Sequence, residues 1–271
     1  MTFARKSQHG FTLVELVMVI VILGVIGGMV AVFMRAPIDA YFSTGRRAAL
    51  TDVADTTVRR MARDLRTALP NSVRVPNAMC VEFIPTKTGG RYRADDTAAG
   101  LDFSAADTNF NMLGSNLALP ANQRIAVNDV VVVYNLGIAG ADAYSQNNTA
   151  VITGLSAETA APIETPLTIA STLFPLASGS NRFQVVPGAE RVVAYVCDLA
   201  AGTLRRTASS VFNPASCLAT GPILASHVSG CTFTYTGSDF QRNALLSMSI
   251  QLTDTGETVS LQHEVHVSNT P

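Results

Sequence analysis

From Phe11 to Met34 the chain is apolar for 24 residues, with Glu15 the only ionisable side chain in the run. As a helix this stretch spans roughly 36 Å, more than the roughly 30 Å hydrocarbon core of a bilayer. The pattern then changes. Pro37 predicts a kink or interruption, after which residues 44–69 place Leu50, Val53, Thr57, Met61, Leu65 and Leu69 at spacings of three and four, one apolar stripe of an amphipathic helix. Arg46, Arg47, Asp52, Asp55, Arg59, Arg60, Arg63, Asp64 and Arg66 fall largely off that stripe. They read as a solvated face, with Asp55 and Arg59 at i,i+4 spacing. Pro70 and Asn71 are expected to end the helix.

Beyond Pro70 the periodicity is that of strands, expected over 72–75, 80–84, 130–134, 183–186, 191–197, 231–235 and 246–252, each bounded by turn residues. The clearest hairpin is the last. Leu246, Met248, Ile250 and Leu252 alternate on one arm, Val259, Leu261, Val265 and Val267 on the other, and Asp254-Thr255-Gly256 supplies the turn. Pro187-Gly188 makes a second turn and residues 198–202 a third. Residues 137–170, rich in Ala, Gly, Thr and Pro, read as a long surface excursion with one strand at 150–154, either a binding loop or a variable insertion, the latter favoured. The expected fold class is α+β, a long N-terminal helix whose amphipathic half packs on an antiparallel sheet within one domain.

What the apolar run does depends on its flanks. Arg5 and Lys6 precede it, so by the positive-inside tendency the leader stays cytoplasmic and residues after about Pro37 are exported. Three readings compete: a plain signal anchor, an ordinary secretory signal, and a chain cut ahead of the apolar run at Gly10-Phe11. A secretory signal has a shorter apolar region, about 7–15 residues, ending in a small-residue cleavage site, and Met34-Arg35-Ala36 offers none. A plain anchor has no use for Glu15, since a charged residue in lipid costs about 2.5–3.5 kcal/mol at mid-membrane and less near an end. Cleavage at Gly10-Phe11 gives the carboxylate a purpose. The new ammonium group on Phe11 lies about one helical turn from Glu15, and a neighbouring subunit's Glu15 neutralises it when helices stack. In a low-dielectric bundle, a helix out of register leaves both charges unpaired.

These residues carry a resemblance. The segment GFTLVELVMVIVILGVIGG resembles the type IV prepilin signal, with Gly before the cut, Phe after it, and Glu as the fifth mature residue. The resemblance implies cleavage between Gly10 and Phe11 by the membrane prepilin peptidase, N-methylation of Phe11, subunit assembly through Glu15, and a lollipop fold. Its segments are a leader (1–10), a transmembrane and polymerisation helix (11–36), an amphipathic continuation (37–70) and a β-rich head (71–271). The implied partners are other minor and major pilins through the N-terminal helix, the prepilin peptidase and an inner-membrane assembly platform. The implied location is the bacterial inner membrane, single-pass with a periplasmic head, and then a filament or its tip.

Charge and cysteines narrow the rest. With 14% charged residues, a net charge of −1 and no basic tract, the chain has no electrostatic footprint for nucleic acid. Cys80, Cys197, Cys217 and Cys231 all lie in the exported part, where oxidation into two disulfides is expected. Cys197 with Cys231 is favoured because both lie at ends of strong strands, leaving Cys80 with Cys217; the local pairing of Cys217 with Cys231 stays open. No CxxC spacing points to zinc. Of the four histidines, His9 leaves with the leader, His263 falls on the apolar register of the last strand and His266 faces the other way. There is no G-x-S-x-G elbow and no phosphate-cradling glycine loop, so neither catalysis, cofactor nor metal is expected.

Further motifs refine the resemblance. RRAALTDVADTTVRRMARDLRTALPNSVRV, GGRYR at 89–93, ERVVAYVC ending at Cys197, VSGCTFTY around Cys231 and the closing HEVHVSNTP are similar to the MSHA-type biogenesis minor pilins, akin to other large minor pilins and to the J-type pseudopilins of type II secretion. That implies a minor subunit that primes polymerisation and sits at the filament tip. The rival expectations are a pseudopilin of a secretion machine, a tip adhesin using residues 137–170, and a membrane-anchored enzyme.

Overall fold

The computed structural model describes residues 10–94, 99–215, 217–237 and 243–271; residues 1–9, which make up almost all of the expected leader, lie outside them. The chain divides into two compact units, Met1–Ala49 and Leu50–Pro271. In the first, helix α1 (Leu13–Arg66) begins and exposes its apolar side chains throughout. This helix is long and apolar enough to cross a membrane by length and composition. Of the kink or interruption expected at Pro37, the interruption does not occur: the helix runs through it. A proline removes one backbone bond at a cost of about 3 kcal/mol, which the rest of a 54-residue helix absorbs. The helix also stops at Arg66, short of residue 70. Leu69 N–H leaves the helical pattern and donates to the Ile84 carbonyl at 2.7 Å.

In the second unit, the C-terminal turns of α1 bury Leu50, Ala54, Thr57, Val58, Met61, Ala62 and Leu65. Val53 instead remains 40% exposed. The buried stripe drifts onto Ala54, Val58 and Ala62 because residues four apart lie one above another on a helix face. It packs on two sheets. One has five strands: β1 (Arg74–Asn77) and β2 (Cys80–Phe83), then β9 (Val192–Asp198), β10 (Thr203–Ser209) and β11 (Ile223–Ser226), in the order β1-β2-β9-β10-β11. The other has three: β12 (Val228–Thr236), β13 (Asn243–Asp254) and β14 (Glu257–Ser268). Val81, Phe83, Val193, Tyr195, Leu246, Met248 and Ile250 meet the helix in one core. In the closing hairpin Asp254 pairs with Glu257, so Thr255 (φ 47°) and Gly256 (φ 85°) form the two-residue turn, both in the left-handed region that matches strand twist. His263 is half-buried opposite Met248 and His266 is exposed.

The head is not one sheet. Between β2 and β9, which are hydrogen-bonded neighbours, the chain makes six further strands: β3 (Thr88–Arg91), β4 (Asp107–Leu113), β5 (Val130–Val133), β6 (Thr149–Leu155), β7 (Glu164–Thr172) and β8 (Arg182–Val186). Their order is β3-β8-β5-β6-β7-β4, all antiparallel. The ends meet: Tyr92 bridges Met112 and Arg93 N–H donates to the Asn111 carbonyl at 2.9 Å. The sheet therefore closes into a small barrel, which removes its edges. Tyr92, Phe110, Met112, Leu167, Phe174 and Phe183 are among the side chains that fill it. Gly90 is required there, since a Cβ would lie 2.9 Å from the Phe183 ring and 3.0 Å from Met112 Sδ. A buried carboxylate also ties the seam. Glu164 pairs with Arg93 and accepts from Asn111 Nδ2 at 2.8 Å. Residues 137–170 are thus no loose excursion: they supply β6 and most of β7, plus a 3-10 turn at Ala143–Ser145.

The barrel is docked on the sheet that carries it. Val131 and Val133 point inward while Val130 and Val132 join Leu69, Ile84, Val192 and Phe212 outside, which explains why all four valines are buried. Tyr144 donates to the Ser72 carbonyl at 2.8 Å and lies under the Arg74 guanidinium, 3.7 Å from ring centroid to Cζ. Burial pushes the Tyr144 hydroxyl well above its usual range. On the helix, Asp64 leaves the expected solvated face. It accepts from the Tyr195 hydroxyl at 2.5 Å and from Arg206 Nε at 3.2 Å, while Arg206 also grips Glu190 with two bonds of 3.0 and 2.8 Å. Burial first, and then Asp64, raises the Tyr195 hydroxyl pKa.

Candidate functional site

The N-terminal site is built from the helix start. Gly10, Phe11 and Thr12 precede the helix in non-helical backbone, and Phe11 is 84% exposed. A scissile peptide in that stretch is accessible without unwinding any turn of α1. Thr12 then caps the helix. Its hydroxyl accepts from Glu15 N–H at 3.3 Å and Glu15 Oε2 accepts from Thr12 N–H at 3.4 Å, the reciprocal pattern of a capping box. The Thr12 hydroxyl also lies 3.5 Å from Glu15 Oε2, and Leu16 N–H makes the first helical bond, to the Thr12 carbonyl at 3.1 Å.

This arrangement answers how a carboxylate is carried at the start of an apolar helix. The first backbone N–H groups of a helix have no internal partner, and a negative charge there is favoured by the helix dipole. Glu15 satisfies one of these donors and is held one residue from the amino group that a cut at Gly10-Phe11 would free. The sequence reading singled out Gly10, Phe11 and Glu15 but missed Thr12. The Thr-x-x-Glu spacing ahead of an apolar run was the available signal.

Comparison with known proteins identifies this end of the chain. Residues 5–31 match the model of the prokaryotic N-terminal methylation motif. The N-terminus is that of a type IV prepilin-like protein. The motif implies processing by a prepilin peptidase and assembly interactions with pilins, and together with the apolar helix it fits a membrane-anchored protein. No curated protein and no solved structure matches the chain.

The four cysteines form two bonds, Cys80–Cys217 and Cys197–Cys231. The first pins the segment after β10 to β2 beside Glu82, which is buried, accepts from Cys217 N–H at 2.9 Å and pairs with Arg74 at 2.8 Å. Cys80, Glu82 and Cys217 lie within a metal ligand's reach of one another, but the disulfide consumes both thiolates that a metal would need. The second bond joins β9 of the five-stranded sheet to β12 of the three-stranded sheet and so clamps together the two surfaces that pack on α1.

Proposed function

We propose that the chain is a minor type IV pilin with a structural role in filament assembly. The prepilin peptidase cuts between Gly10 and Phe11, Phe11 is N-methylated, and the apolar part of α1 holds the protein in the inner membrane until it is drawn into a filament. Glu15 then exchanges its capping contact with Thr12 for the ammonium group of a neighbouring subunit's Phe11. Paired charges in a dry bundle enforce register because an unpaired one is costly. The observation that carries this reading is the methylation motif over residues 5–31 coinciding with an exposed Gly10-Phe11 peptide directly ahead of a Thr12–Glu15 capping box.

The minor rather than major role, the MSHA-type branch and the tip position are the finer part of the proposal. The size of the head supports them: a closed barrel inserted between β2 and β9 adds bulk that a subunit repeated along a shaft would have to accommodate at every step. The role is assembly, not catalysis. The test is a Glu15→Leu variant expressed from its own locus. The proposal expects processing at Gly10-Phe11 to continue and surface pili to be lost or sharply reduced. Normal piliation in the variant would contradict it, and lost exoprotein release with normal pili would move the protein to a secretion pseudopilus.

A further inference from the structure

The outer face of the barrel carries an arrangement separate from the Thr12–Glu15 site. Side chains alternate along a strand, and Gly90 faces the packed interior, so Gly89 and Arg91 lie on the outer face of β3. On β8, Phe183 is buried in the barrel while Arg182 is exposed and Gln184 half-buried. The register sets Gly89 opposite Gln184 and Arg91 opposite Arg182. Two guanidinium groups therefore stand directly across an antiparallel pair, where like charges destabilise. Among the described residues no carboxylate pairs with either of them. The two arginines, with Gly89 and Gln184, line an open concavity of about 300 Å³. Its floor is bare at Gly89, where a Cβ would approach the Phe183 carbonyl oxygen to 3.0 Å.

We propose that this concavity binds an acidic saccharide, with one carboxylate or sulfate group held between the Arg91 and Arg182 forks and the Gln184 amide bonded to a neighbouring hydroxyl. An oxyanion removes the repulsion that the bare pair carries, and planar guanidinium groups match carboxylate and sulfate geometry with charge-assisted bonds. The volume falls at the lower end of small-ligand sites, about 300–1,000 Å³, and the open outer face admits a group carried on a longer polymer. Nucleic acid is disfavoured, since it is held by many phosphate contacts whereas this site offers two cations on a chain of net charge −1. The proposal goes beyond the assembly reading and does not depend on it.

The test uses the full-length protein in detergent micelles, titrated with a glucuronate-containing oligosaccharide, its sulfated counterpart, a neutral glucose oligomer of the same length and an oligothymidylate of matched charge. Saturable binding of either acidic saccharide is expected, and which of the two binds tighter identifies the anion. The neutral oligomer and the oligothymidylate should bind at least about tenfold more weakly, and Arg91→Gln and Arg182→Gln should each weaken saccharide binding roughly ten- to a hundredfold. Without saccharide, each variant should unfold at the same temperature as the parent or higher, because the cross-strand repulsion is relieved. That readout separates lost binding from lost folding. Equal affinity for the neutral oligomer, tighter binding of the oligothymidylate, unchanged affinity in both variants, absence of saccharide binding, or a lowered unfolding temperature in either variant would each overturn the proposal.

Discussion

Replacing Arg93 by Met tests whether the barrel is held closed at its seam. Glu164 is 3% exposed and, among the described residues, accepts from Arg93 through both carboxylate oxygens and from Asn111 Nδ2 at 2.8 Å. Removing the guanidinium takes the cationic partner from a buried carboxylate, a change that costs about 3–5 kcal/mol when the site is dry. The Arg93 side chain is 29% exposed, so water can reach the vacated position, and Asn111 remains. Both lower the cost, to about 2–3 kcal/mol. For a unit of this size, that shift corresponds to a fall of roughly 4–12 °C in unfolding temperature. Replacing both partners, Arg93→Met with Glu164→Leu, should recover part of the loss, because no charge is left buried. The assay is thermal and denaturant unfolding of the full-length protein in detergent with the cycle of single and double variants, which isolates the coupling between the two side chains. A loss below about 0.5 kcal/mol for Arg93→Met, the range of ordinary surface changes, would refute the reasoning that this ion pair locks the seam.

Other consequences follow from the same structure. Loss of the Cys80–Cys217 bond, which closes a separation of 137 residues, should destabilise more than loss of Cys197–Cys231, which closes 34; chain entropy gives upper limits of about 5 and about 4 kcal/mol, and denaturant unfolding of the paired Cys→Ser variants measures the order. Arg206 holds the Glu190 carboxyl pKa below its usual value, chiefly through their hydrogen bonds. Because the folded pKa lies below the unfolded one, Glu190 stabilises the fold above the unfolded value and loses that contribution as pH falls through the folded value. The acid limb of the stability profile should therefore flatten in Glu190→Gln. Gly256→Val should cost about 1–3 kcal/mol by forcing a β-branched residue to φ 85°, whereas Gly256→Asn should cost less.

The parts of the fold that announced themselves are those where one pattern acts alone. The apolar run to Met34 marked the start of α1. The strict alternation of Leu246 to Leu252 with the Asp254-Thr255-Gly256 turn marked the β13–β14 hairpin. The barrel was hidden because its interior asks little of each strand: β4 contributes only Phe110 and Met112 to the barrel core, and β7 only Leu167 and Ile169, among mostly polar residues. β3 is half glycine, and β7 contains Pro166, features that weaken a strand signal. Similarly, Arg205 and Arg206 obscured β10, although Arg206 is there to meet Asp64 on the helix and Glu190. At the N-terminus the chemistry was legible in Gly10, Phe11 and Glu15. The role of Thr12 needed the geometry, because a threonine inside an apolar run carries no charge to attract attention.

The central claim is that this chain enters the pilin pathway through its first helix, and it is tested most directly by intact-mass and N-terminal analysis of the protein made with and without a prepilin peptidase. The account predicts a chain beginning at N-methylated Phe11 only when the peptidase is present. A chain that keeps Met1 under both conditions, or that is cut after the apolar helix, would contradict it.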